Sequence, residues 1–319
     1  MGKRPAIVLV HGGDGYAFKD WVQLWASRGY HAIAMDLGGN GSDNQRLAKG
    51  GPSQNATEKF TSITQPQDQQ WVYHAVANVM AAHSLIRSLP DVDTTRTAMA
   101  GVSWGGFLTS IVAGLDPRLS AASISYGCGY LAEPGGLFDQ NFGLLTDQQR
   151  SQWIARYDPS NYLPLATTPV LWLAGATDQY FTPVSLGKSS GLVAENSQYS
   201  LRPYFRHSQN DGANAPEIEI FFNQILFGGA PLATLSAEYL GFGVVTAKVL
   251  AKTRINNASL SYTTDKTLPY ELRKWVTLPA KVDGTSITAP APPADATIWF
   301  LNAVDERNTI VSSAYHIIQ

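Results

Sequence analysis

The sequence predicts an α/β protein: a mostly parallel sheet flanked by helices, followed by a small antiparallel, sandwich-like β-module. Three observations point to this class. Between residues 5 and 226, short apolar, β-branched runs alternate with stretches of helical period. Most of those runs are apolar throughout, as strands covered on both faces must be. Beyond residue 228 the pattern changes to short alternating strands separated by turn signals. A chain of 319 residues suits one large domain joined to a smaller one, and the change of pattern sets the expected division at residues 1–227 and 228–319.

In chain order, the expected strands of the first part are "AIVLV" (6–10), "HAIAM" (31–35), "TAMAGV" (97–102), "AASISY" (121–126), "PVLWLA" (169–174) and "YSLRPYF" (199–205). The stretch "DQQWVYHAVANVMAAHSLIRSL" (68–89) sets Val72, Val76, Val79, His83 and Ile86 on one stripe of a long helix. "FLTSIVAGL" continues directly from the third strand as a second helix, and "PEIEIFFNQILF" (216–227) closes the series as another. The second part reads as strands in "ASLSYTT", "RKWVTLPAKVDGTSITA" and "ATIWFLNAVDERNTIVSSAYHII", with a turn at Asp283-Gly284 and a proline-bearing connection "PAPPAD". Two irregular segments, 37–67 and 127–168, follow strands on the edge where open α/β sheets take their ligands. Their length marks them as expected pocket walls.

Composition excludes several functions. With 23 lysines and arginines against 25 acidic residues, the formal net charge is −2, and no basic run offers a footprint for nucleic acid. The lone Cys128 cannot form an intrachain disulfide, and it has no Cys/His spacing of a zinc site. No apolar stretch approaches the ~20 residues of a membrane span. The first strand begins almost at the N-terminus without a signal-peptide pattern, so upstream residues, an export signal among them, are expected to be absent from this chain.

One short stretch carries the chemistry. In "GVSWGG" (101–106), Ser103 is fenced by Gly101 and Gly105, between an apolar strand and an apolar helix. A strand, a tight turn and a helix in that order are the context of a nucleophile elbow, G-x-S-x-G. A serine hydroxyl needs a base within reach and a third group to fix that base's tautomer. On such a sheet the partners follow in the order acid, then histidine. Asp178 lies in the loop after "PVLWLAG", and His207 in the loop after the next strand. All three therefore fall at the carboxyl edge of the sheet. The expected oxyanion donors are the backbone N–H of Trp104, just past the serine, and that of Gly13 in "HGGDG". Asp14 in that loop must point away from the developing charge. Tyr126, Tyr130 and Tyr180, with Asp14 and the Trp104 side chain, are the candidate pocket residues. The mechanism needs no metal or cofactor.

These residues resemble the α/β-hydrolase superfamily over about residues 5–226, and "MDLGGNGS" (35–42) is similar to an Asp/Gly/Ser segment that many members carry after this strand. More narrowly, "HAIAMDLGGNG", "HSLIRSLPDVDTTR", "GVSWGGFLTSIVAGLDPRL", "YGCGYL" and "DPSNYLP" are similar to dienelactone-hydrolase-like proteins described as acetyl xylan esterases. The resemblance implies a Ser103, Asp178, His207 triad. It implies a serine esterase on short acyl esters, acetylated polysaccharide such as xylan among them, and export to the periplasm or beyond where an upstream segment has been removed; otherwise the chain is expected to be cytoplasmic. The family sheet carries additional strands before the position of Ala6, which also implies absent upstream residues. Dienelactone hydrolases proper use cysteine where this chain has Ser103, so lactone cleavage is not expected. Two other readings stay open: a serine peptidase or amidase on the same fold, and a glycan- or protein-binding chain with a degenerate hydrolase scaffold.

Other polar residues read as structural. His11 is expected to hold its loop, His74 and His83 to sit at the surface or core edge, Asp36 and Asn40 to shape a loop, and Cys128 to act as a small buried hydrophobe. Asp211 is the rival acid, but it lies four residues past His207 in a turn-like run.

Overall fold

The computed structural model describes residues 2–41, 44–193, 195 and 197–318, so Ser42 of the "MDLGGNGS" segment lies outside the described residues. The N-terminal part runs β1 (Arg4–Val10), α1 (Lys19–Ser27), β2 (His31–Ala34), α2 (Glu58–Thr61), α3 (Trp71–Arg87), β3 (Val92–Val102), α4 (Trp104–Leu115), β4 (Ala121–Ser125), α5 (Asp139–Phe142), α6 (Asp147–Tyr157), β5 (Val170–Gly175), α7 (Pro183–Gly191), β6 (Ser197–Arg202), α8 (Gln209–Ala213) and α9 (Pro216–Phe227). Strands β2, β1, β3, β4, β5 and β6 lie side by side in that order, all parallel. Their apolar composition follows from this: Ala6 to Val10 and Val170 to Leu173 have no exposed surface. Helix α4 buries every residue from Trp104 to Ala113, which is why it is apolar on all sides rather than amphipathic.

Some boundaries differ from expectation. Strand β6 stops at Arg202 because Pro203 has no N–H to give a ladder. Strand β4 stops at Ser125, where Tyr126 turns out of line at φ 48°. Strand β3 starts at Val92, earlier than Thr97; Thr94 and Thr95 in the added stretch are exposed, so it lacks the apolar run that marks a covered strand. Segment 127–168, expected to be irregular, contains α5 and α6. The start of α6 is fixed by a capping box in which Thr146 Oγ1 accepts the Gln149 N–H and the Gln149 side chain accepts the Thr146 N–H.

The C-terminal strands are β7 (Thr234–Leu235), β8 (Tyr239–Gly241), β9 (Val244–Leu250), β10 (Ile255–Thr263), β11 (Val276–Asp283), β12 (Ser286–Pro290), β13 (Ile298–Asp305), β14 (Ile310–Ser312) and β15 (His316–Ile317). They pair antiparallel, and β14 joins them to the parallel sheet by pairing Ser312 with Tyr199 of β6. Ser312 Oγ accepts the Leu201 N–H at 2.7 Å and donates to Asn302 Oδ1 at 2.6 Å. Buried Glu217 of α9 adds a second tie, accepting from Arg202 at 2.9 Å and from the Ile310 N–H at 2.8 Å. The antiparallel ribbon folds over at β11, so that Val245, Ala247 and Ala289 meet Leu260, Trp299 and Leu301 in a small core of their own.

His83 departs from expectation. It is fully buried, with Nδ1 on Asp116 Oδ2 at 2.8 Å and Nε2 on Thr97 Oγ1 at 2.9 Å, and Arg118 closes the cluster from the other side of Asp116. Burial pushes the His83 pKa down despite its carboxylate partner.

Candidate active site

Ser103 sits between β3 and α4 at φ 57° and ψ −120°, a conformation that non-glycine residues avoid. Its neighbours explain how the chain tolerates it. A Cβ at Gly105 would lie 2.0 Å from the carbonyl oxygen of Val10, and one at Gly101 would lie 2.2 Å from that of Gly105. Only glycine lets α4 start this close to β1. The Ser103 N–H donates to the Ser125 carbonyl at 2.8 Å, which ties the turn to the end of β4.

The loops after β5 and β6 bring the other two residues to this turn. His207 Nε2 is 2.7 Å from Ser103 Oγ, and His207 Nδ1 is 2.7 Å from Asp178 Oδ2. Asp178 is buried, and its other oxygen, Oδ1, accepts the N–H groups of Tyr180 at 2.8 Å and Phe181 at 3.0 Å. The carboxylate therefore cannot rotate without losing two hydrogen bonds. The imidazole is held by rings: Tyr126 stacks on it at 4.6 Å, Tyr180 lies at 4.8 Å and Phe181 at 6.1 Å. The Tyr126 hydroxyl donates to the Arg206 carbonyl at 3.0 Å, fixing the loop that carries His207. Hydroxyl, imidazole and carboxylate thus form one continuous hydrogen-bonded chain, with the histidine side chain partly open to solvent.

The loop after β1 lies against the elbow. A Cβ at Gly12 would be 3.1 Å from Ser103 Cβ, and one at Gly13 would be 3.0 Å from Trp104 Cδ1. The Gly12 N–H is taken by Gln209 Oε1 at 3.0 Å. The Trp104 N–H opens α4 and has no intrahelical acceptor. Asp14 is exposed at φ 58°. His11 is buried and bridges the loop: Nδ1 donates to the Gly12 carbonyl at 2.7 Å while Nε2 accepts the Leu37 N–H at 3.0 Å. Burial, the largest influence, lowers its pKa, so it stays neutral in this role.

The remaining candidates divide. Tyr126 and Tyr180 contact the His207 ring, whereas Tyr130 turns elsewhere: its N–H goes to Asp158 at 2.9 Å and its ring faces Lys188. The Trp104 side chain is buried among Phe60, Trp71, Phe107, Phe138 and Phe181. Cys128 is fully buried, and burial pushes its thiol pKa well up. Asp211 pairs with Arg206 instead of His207. Asp36 Oδ1 accepts the N–H groups of Gly38 and Asn40, shaping its loop. Two neighbours of the site have no signal in the letters around them: Gln209, which holds Gly12, and Lys59, whose burial depends on how segment 37–67 folds back.

Residues 1–133 match the model of the acetyl xylan esterase family (AXE1). Acetyl esterase Axe7A of Xylanibacter ruminicola is 24% identical over 219 residues, covering 65% of this chain and 50% of that protein. The chain thus spans about half the length of this curated relative. Among solved structures, an acetyl xylan esterase from Paenibacillus sp. R4 superposes with a TM-score of 0.54 at 21% identity, over 65% of this chain and 70% of that one. Acetyl xylan esterase 1 from Thermoanaerobacterium sp. JW/SL YS485 gives a TM-score of 0.54 at 20% identity, over 72% and 75%. At these identities the likeness concerns the fold, and the chain has the α/β-hydrolase fold.

Proposed function

We propose that this chain is a serine carboxylester hydrolase acting on short acyl esters, acetylated xylan among them. The observation that carries the reading is the unbroken Ser103, His207, Asp178 chain at a strained strand-to-helix turn. His207 Nε2 takes the Ser103 proton as Oγ attacks the ester carbonyl, and Asp178 keeps the other ring proton on Nδ1. The N–H groups of Gly13 and Trp104 receive the oxyanion, which the dipole of α4 also favours. The tetrahedral intermediate collapses as His207 returns the proton to the leaving alcohol. Water, deprotonated by the same imidazole, then releases the acid from the Ser103 ester.

The match of residues 1–133 to the acetyl xylan esterase family supports acetyl as the acyl group. The division near residue 227 belongs to the same proposal, with residues 1–227 holding all the reacting groups. No helix among the described residues is long and apolar enough to cross a membrane. Turnover of p-nitrophenyl acetate and of acetylated xylan is expected from the wild type, together with fluorophosphonate labelling at residue 103. Ser103→Ala should abolish all three, and equal rates in the two proteins would end the proposal.

A further inference from the structure

Lys59, on the short helix α2, is 3% exposed. Lysines are rarely buried so completely without an anionic partner. Here Nζ lies 4.7 Å from the Trp104 ring centroid and 5.6 Å from that of Trp71, and the described ion pairs do not include it. The same ammonium would be 3.2 Å from a Cβ on Gly13, so it lies against the loop that faces Ser103. Its helix is anchored for this: the Trp153 indole N–H donates to the Lys59 carbonyl at 2.9 Å, and Phe60 stacks on Trp153. A desolvated cation thus lies against Gly13 and Trp104, the two residues whose N–H groups are proposed to receive the oxyanion.

We propose that the Lys59 ammonium, held over the Trp104 indole and against Gly13, stabilises the oxyanion from behind the two N–H donors. The inference rests on the esterase reading. Lys59 is an electrostatic positioning residue and does not touch the substrate. Its field acts across the oxyanion loop in a site of low effective dielectric, where a single charge is felt strongly.

The role has a pH signature. The titratable groups whose charge meets that of Nζ are Asp14 and His11, both from the loop after β1. The first turns of α3 and α4, which carry the two indoles, contain no acid. Burial, partly offset by Asp14, brings the Lys59 pKa down to about 8. The ammonium is present below that pH and lost above it, so oxyanion support should fade as pH rises through about 8.

The test measures kcat and KM for p-nitrophenyl acetate from pH 6 to 10 in wild type, Lys59→Met and Lys59→Arg. Methionine fills the aromatic cage without charge. It should lower kcat on the order of tenfold to a hundredfold at pH 7, leave KM nearly unchanged and remove the alkaline limb, with no loss of thermal stability. Arginine keeps its charge over this range, so Lys59→Arg should retain activity at pH 7 and lose the limb near pH 8. A Lys59→Met enzyme with wild-type kcat and the wild-type limb overturns the inference, as does a Lys59→Arg enzyme that keeps the limb. If the wild type neither takes the fluorophosphonate nor turns over ester, the esterase reading falls and this role falls with it. Turnover that is indifferent to residue 59 removes this role alone.

Discussion

Replacing Asp178 with asparagine probes the proposed Ser103, His207, Asp178 chain at its deepest point, and the structure dictates what the amide would do. Asp178 Oδ1 accepts from the N–H groups of Tyr180 and Phe181. An asparagine must leave its oxygen there, because its NH2 group cannot accept those two protons. The NH2 group is then aimed at His207 Nδ1, 2.7 Å away in the native pair. Facing a donor, Nδ1 must accept, and the ring proton moves to Nε2. The nitrogen that should take the proton from Ser103 Oγ is then already protonated. The expected loss is about 10⁴-fold in kcat, or about 5.4 kcal/mol of barrier at 1.36 kcal/mol per decade. Folding should be nearly unaffected, since the buried hydrogen bonds to Tyr180 and Phe181 persist. Initial rates with p-nitrophenyl acetate, alongside a thermal melt of each protein, measure both quantities. A folded Asp178→Asn enzyme within tenfold of wild type would refute the tautomer argument.

Further perturbations separate framework from chemistry. Gly105→Ala would put a methyl 2.0 Å from the Val10 carbonyl oxygen and 2.6 Å from that of His11, so a stability loss of at least ~3 kcal/mol is expected, read as a lower urea midpoint or failure to fold. His11 and His83 both have pKa values lowered by burial from the ordinary 6.5. Below that value the unfolded chain binds more protons than the folded one, so stability should fall as the pH drops beneath 6.5 and hold above it, as measured by urea unfolding from pH 5 to 8. His83→Ala should cost about 2–5 kcal/mol by emptying a buried ring site and removing hydrogen bonds to Asp116 and Thr97, while kcat per folded molecule stays near wild type.

Much of the candidate site's geometry was legible because its constraints are local. Ser103 stands out because a reversed backbone between a strand and a helix needs glycine on both sides, and the letters show those glycines. Asp178 and His207 follow from strand order, since successive parallel strands deliver their loops to one edge. Long-range contacts were not legible. His83 lies on an apolar stripe, but its burial depends on Asp116 at the end of α4 and Thr97 inside β3, which no helical period reveals. Lys59 lies in segment 37–67, expected to be irregular, and nothing in its letters shows that α2 packs it against two indoles from other helices. The start of α6 carries its signal in Thr146 and Gln149, the two residues of a capping box, although it lies in segment 127–168, expected to be irregular. The pairing of β14 with β6 joins residues far apart in the chain, and nothing in the strand sequences marks that partnership.

That pairing bears on self-association. Strand β6 is the last of the parallel series, and without a neighbour it would present an open row of N–H and C=O groups to any passing strand. Through Ser312 and the Glu217 tie, the antiparallel ribbon occupies that row. The loop bearing His207 springs directly from β6, so the same docking that covers this edge also anchors the root of that loop.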